Sequence, residues 1–189
     1  MRQRLAFAAL AWLALCGAAA DGDLQRVMHL LGAQRHRQAR FVERQYLAVL
    51  DRPLESRGEL LYDAPDRLEQ RTLQPRRESM IVAGERLIVD HGGRRRVLDL
   101  RAYPQIAPFI DSLRDTLAGN RPALAHAFAI TFRGDVRRWT LLLTPKSAAL
   151  ARAVSQIRID GAGGDLLRVE IRQTDGDHSS MRIENGGAP

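Results

Sequence analysis

The strongest constraint on this chain is a period of two. From Phe41 to Glu184 apolar and polar residues alternate in short runs, and each run breaks on turn residues. Side chains at i and i+2 share one face of a strand, so this alternation specifies sheet rather than helix. Strands are expected at Phe41–Val49, Gly58–Tyr62, Arg67–Leu73, Ser79–Val82, Arg86–Val89 and Arg95–Leu100. A second series is expected at Phe128–Phe132, Val136–Leu143, Val154–Ile159, Leu166–Ile171 and Met181–Glu184. Ala83-Gly84-Glu85, His91-Gly92-Gly93 and Arg133-Gly134-Asp135 are hairpin signals, so neighbouring strands pair antiparallel.

Two stretches change period. Leu24, Val27, Met28, Leu30 and Leu31 fall on one side of an expected helix over Asp21–Gln38. Ile106, Phe109, Ile110, Leu113 and Leu117 form the stripe of another, starting near Ala107 because Pro108 fits only a first turn. The expected class is α+β, mainly β. Its architecture is a large, strongly curved antiparallel sheet of about eleven strands, with helices covering the open concave side. The helix stripes need burial, and the inner sheet face is the large apolar surface on offer.

The first twenty residues carry a different message. Arg2 and Arg4 precede the short apolar run Leu5–Leu15, and Ala18-Ala19-Ala20 precedes Asp21. This is the layout of a secretory signal peptide cleaved after Ala20, which leaves one exported domain over 21–189. Lipidation at Cys16 is the alternative, but Leu15 is not the small residue such a site requires before its cysteine. Cys16 is the only cysteine, so the mature chain forms no disulfide and is held by packing alone.

Without Arg2 and Arg4 the 29 basic residues become 27 against 22 acidic ones, a net charge of +5. All of the basic residues but Lys146 are arginine. They are dispersed and interleaved with acids, which argues against nucleic acid and leaves anionic headgroups or an acidic partner. Arg94-Arg95-Arg96 and Arg76-Arg77 read as solvated turns or as docking patches.

The residues expected to face the interior are Phe41, Leu60, Tyr62, Ile81, Leu87, Leu98, Phe128, Ile130, Trp139, Leu141, Ile157, Val169 and Ile171. From periodicity alone they describe a core filled by side chains, as in most small barrels. Enzyme chemistry finds no foothold. His29, His36, His91, His126 and His178 are scattered without metal-ligand spacing. No Gly-x-Ser-x-Gly elbow is present, and Gly161–Gly164 lacks the Lys-Ser/Thr of a phosphate loop. No cofactor or metal is expected.

The order of several motifs is similar to that of the LolA-like family, the periplasmic carriers of outer-membrane lipoproteins. After the opening helix come Phe41 and Gln45, then Gly58-Glu59-Leu60 with Pro65, then Pro75, Met80-Ile81-Val82 and Gly84, and finally Leu142-Leu143-Thr144-Pro145-Lys146. The resemblance implies a non-enzymatic, monomeric carrier in the periplasm of a Gram-negative-type cell, with an incomplete β-barrel of about eleven strands that holds an acyl-chain cavity. The thirteen interior residues above would line it, and Ile106, Phe109, Ile110, Leu113 and Leu117 would form a movable lid. It implies acylated lipoprotein or lipid as cargo, an inner-membrane donor complex and an outer-membrane acceptor. Two departures mark a divergent member. Ala64 stands where the family carries the arginine that helps hold the lid, and the chain stops at Gly186-Gly187-Ala188-Pro189 where typical carriers continue. A filled, exported module that binds a partner through its basic surface is the alternative.

Overall fold

A computed structural model describes residues 8–103 and 107–185, without the side chains of 8–20, Pro108 and Phe109. Arg2 and Arg4 of the expected signal, Ile106 of the expected lid and the Gly186–Pro189 end lie outside the described residues. The Phe109 backbone is helical, and its side chain is not described.

Among the described residues eleven strands form one antiparallel sheet. They are β1 (His36–Tyr46), β2 (Leu54–Asp63), β3 (Arg67–Gln74), β4 (Glu78–Ala83), β5 (Arg86–His91), β6 (Arg94–Asp99), β7 (Phe128–Asp135), β8 (Arg138–Pro145), β9 (Val154–Ala162), β10 (Asp165–Gln173) and β11 (His178–Asn185). The order is β6-β5-β4-β3-β2-β1-β11-β10-β9-β8-β7. The chain's first and last strands meet in the middle, and β6 and β7 are the free edges. The sheet is therefore open and does not close into a barrel. Among the described residues four helices accompany it: α1 (Ala8–Ala33), α2 (Ala107–Leu117), α3 (Arg121–Ala127) and α4 (Ala148–Ala151), with a 3-10 turn at Leu100–Ala102. No helix among the described residues is long and apolar enough to cross a membrane.

The expected first helix runs too far. It ends at Ala33 rather than Gln38, because His36 pairs with Asp63 and Gln38 with Leu61 in the sheet. Tertiary pairing outweighs the weak helical pattern of that stretch. At its other end β1 stops at Tyr46, where the Leu50 N–H bonds the Leu47 carbonyl at 2.9 Å and closes a turn. The expected strand to Val49 is thereby shortened.

Among the described residues two apolar clusters hold the sheet, a larger one centred on β7 to β9 that reaches Val169 of β10 and Tyr62 of β2, and a smaller one at β4 and β5. In the larger, Leu24, Val27, Met28 and Leu31 of α1 with Leu124 of α3 cover Phe128, Trp139, Leu141, Leu143, Ile157 and Ile159 of β7 to β9. In the smaller, Ile110 of α2 packs with Val82, Leu87 and Leu100. Strand β1, at the centre of the sheet, contributes to neither. An eleven-residue helix is only ~16 Å long, so α2 bridges the two clusters without filling the space between them.

Candidate functional site

The register assigns a face to every residue. One inner row runs Arg37, Tyr62, Leu68, Val82, Leu87, Leu98 across β1 to β6. The next runs Ala39, Leu60, Gln70, Met80, Val89. On the other side of β1, Met181 and Ile183 of β11 and Val169 and Ile171 of β10 continue the same face. Where the two clusters leave this face uncovered, a cavity of about 560 Å³ remains. Its wall is mainly apolar, with Leu60, Tyr62, Leu68, Val169, Ile171 and Met181 among the lining side chains. Ile110, Leu113 and Leu117 of α2 close it from above. That volume falls within the ~300–1,000 Å³ of small-molecule sites.

The expected interior residues divide into four groups. Leu60, Tyr62, Val169 and Ile171 line the cavity, and so do Ile110, Leu113 and Leu117 of the expected lid; Tyr62, Val169 and Leu117 also form the edge of the larger cluster. Phe128, Trp139, Leu141 and Ile157 lie instead in the closed cluster under α1, with Ile130 packed against its margin. Trp139 is 1% exposed, and its indole N–H donates to the Gly163 carbonyl at 3.0 Å. Its ring presses on Gly161, where a Cβ would stand 2.1 Å from Cζ2, so only glycine fits beneath it. Leu87 and Leu98 belong to the smaller cluster. Phe41 is buried flat against Gly58, where a Cβ would meet its ring at 2.9 Å, and it joins neither cluster.

Ile81 corrects the expectation of face. It pairs with Glu69 and Ile88 on the outer side, and its neighbours Met80 and Val82 point inward. Met80-Ile81-Val82 is a continuous apolar run, which carries no parity of its own. The hairpin at Gly84 sets the register instead.

Sequence reasoning missed the polar part of the wall. Glu43 and Gln45 of β1 and Gln70 of β3 line the cavity, and Glu43 is only 8% exposed. Burial pushes the Glu43 carboxyl above its ordinary range, while the side chains of Gln45, Gln70 and Ser56 counter this as hydrogen-bond donors. The signal was available: Glu43 and Gln45 share parity with Phe41, which had been assigned inward.

Two arginines fix the helices. Arg37 donates to the Gly164 carbonyl at 2.6 Å and to the Leu31 carbonyl at the end of α1. Arg114 of α2 donates to the Gly84 carbonyl at 2.8 Å and pairs with Asp111. Arg94, Arg95 and Arg96 are exposed along the edge strand β6. Among the described residues no group of three His, Cys, Asp or Glu is placed to hold a metal.

The sequence matches the family described as "Outer membrane lipoprotein carrier protein LolA-like" over residues 16–188. The chain belongs to this LolA-like family. Its members are binding and carrier proteins rather than enzymes. No curated protein matches the chain. Some solved structures are distantly similar to the chain. A LolA superfamily protein from Nitrosomonas europaea is 12% identical at a TM-score of 0.44, covering 90% of this chain and 95% of that one. A DUF1329 family protein from Desulfovibrio piger is 9% identical at 0.49, covering 88% and 91%. MucB is 18% identical at 0.49, covering 91% of this chain but 60% of its own. This LolA-like chain thus spans about 60% of the length of MucB. The family assignment rests on the sequence match and not on these likenesses.

Proposed function

We propose that this LolA-like protein is a periplasmic carrier that takes the acyl chains of a lipoprotein or lipid into the central cavity and moves them toward the outer membrane. The observation that carries this reading is the uncovered apolar middle of the concave face, roofed by a single short helix. Each methylene moved from water into such a wall is worth ~0.8 kcal/mol, so a chain of about twelve carbons gains roughly 10 kcal/mol before ordering costs. Ile110, Leu113 and Leu117 stabilise the empty state by covering part of the wall, and α2 swings away as the guest enters.

Residues 1–20 direct export, and 21–189 act as one carrier domain. A donor complex at the inner membrane loads the cargo, and an acceptor at the outer membrane with higher affinity withdraws it. No bond is made or broken. An uncovered centre favours this reading over a filled module that acts through its basic surface. Protein purified without detergent from its native host is expected to release acyl lipid on solvent extraction, seen by mass spectrometry. Protein that carries none and takes up none from vesicles contradicts the carrier role.

A further inference from the structure

A buried carboxylate in a greasy cavity needs a reason. Glu43 is 8% exposed on the cavity wall. It pairs across the sheet with Ser56 of β2 and Met181 of β11. An isolated ionised carboxyl is among the most costly groups to bury, and such groups are normally matched by a cation. No cation among the described residues balances this one; its surroundings are the neutral side chains of Gln45, Gln70 and Ser56.

Several other polar groups of the wall are engaged. Arg37 sits six residues along β1, ~20 Å away in an extended strand, with its terminal nitrogens bonded to Leu31 and Gly164 carbonyls. Glu69 is paired with Arg67 and Arg71. The His178 ring stacks on Tyr46 at 4.4 Å, and Asn185 donates to the Leu166 carbonyl. Of the two carboxyls along the cavity wall, Glu43 is the one without a cation among the described residues. A guest placing an anionic group there meets like charge in a low-dielectric setting. A guest placing a hydroxyl or an amine there satisfies the carboxyl.

We propose that Glu43, with Gln45, Gln70 and Ser56, is a recognition point inside the cavity for a hydrogen-bond-donating group, a hydroxyl or an amine, on the ligand. This rests on the reading of the cavity as an acyl-chain site and adds its chemical class. The preferred guest is an acyl or alkyl chain bearing such a donor, and a free carboxylate at that point is rejected.

Calorimetric titration of the intact protein with 1-dodecanol, dodecylamine and dodecanoate, each below its micelle concentration at pH 7.5, tests this. The alcohol and the amine are expected to bind at least about tenfold tighter than the carboxylate, the worth of one charge-assisted hydrogen bond. Glu43→Leu is expected to level the three affinities while keeping the binding. Glu43→Gln, which preserves shape and hydrogen bonding, is expected to keep the alcohol and weaken the amine. Equal affinities in the native protein, or a preference that survives in Glu43→Leu, overturn the recognition point and leave the cavity reading standing. If none of the three chains binds, the cavity reading itself fails and the recognition point falls with it.

Discussion

Arg114 of the roof helix donates through Nη1 to the Gly84 carbonyl at 2.8 Å, joining α2 to the β4–β5 turn on the far rim of the cavity. Ala64 occupies the position before Pro65 where the family's lid arginine is expected. Here the tether originates on the helix rather than on the sheet, and its acceptor is a backbone carbonyl that no side-chain substitution removes.

Arg114→Ala should loosen the roof selectively. Loss of one partly exposed charged hydrogen bond is worth about 1 kcal/mol. Amide hydrogen exchange should accelerate across Ala107–Leu117, while β8 and β9 keep their protection. Unchanged exchange in α2 would show that Arg114 does not hold it.

The closed cluster and the cavity wall should respond oppositely to changes of size. Leu141 is 1% exposed in the filled cluster, so Leu141→Ala is expected to cost about 3 kcal/mol in urea unfolding without changing the affinity for an acyl ligand. Leu60 lines the cavity and belongs to neither cluster, so Leu60→Trp is expected to weaken that ligand at least about tenfold at a smaller cost in stability. The reverse pattern would place the guest elsewhere.

Glu43 predicts a pH effect of definite sign. Its folded pKa is raised by burial, so the unfolded chain ionises first as the pH climbs. Native stability therefore falls as the pH rises from the ordinary carboxylate range to the folded value, and it stays lower above that. Glu43→Gln removes the penalty. The variant should melt higher than wild type at pH 7.5, and the gap should close below about pH 4. A constant gap across that range would mean that charge is not the cause.

Gly161→Ala tests the packing of Trp139. The added methyl would stand 2.1 Å from the indole and 2.5 Å from the Asp165 carbonyl. Destabilisation of about 3 kcal/mol or failure to fold is expected, which thermal unfolding and expression level would reveal.

Much of the fold was legible because period-two patterning and turn residues are local signals. All eleven strands and the helix over Ala107–Leu117 lie where the alternation and Pro108 put them, within a few residues at the ends. The junction near Gln38 was not legible, since sheet pairing with β2 decides it. Which inner-face residues line the cavity depends on where the helices land. Trp139 and Leu60 read alike in sequence, yet Trp139 is packed into the cluster under α1 and Leu60 lines the cavity that α2 borders. Glu43 was overlooked because a carboxylate on a strand is ordinarily taken for a solvent-facing residue, although its parity with Phe41 indicated the inner face.

A methyl-resolved NMR titration with a soluble acyl ligand tests the central cavity most directly. The methyls of Leu60, Leu113, Val169 and Ile171 should shift and saturate at one equivalent, while those of Leu141 and Ile157 stay in place. No shift at saturating ligand, or equal shifts throughout both groups, would contradict a vacant, roofed cavity as the carrier's binding site.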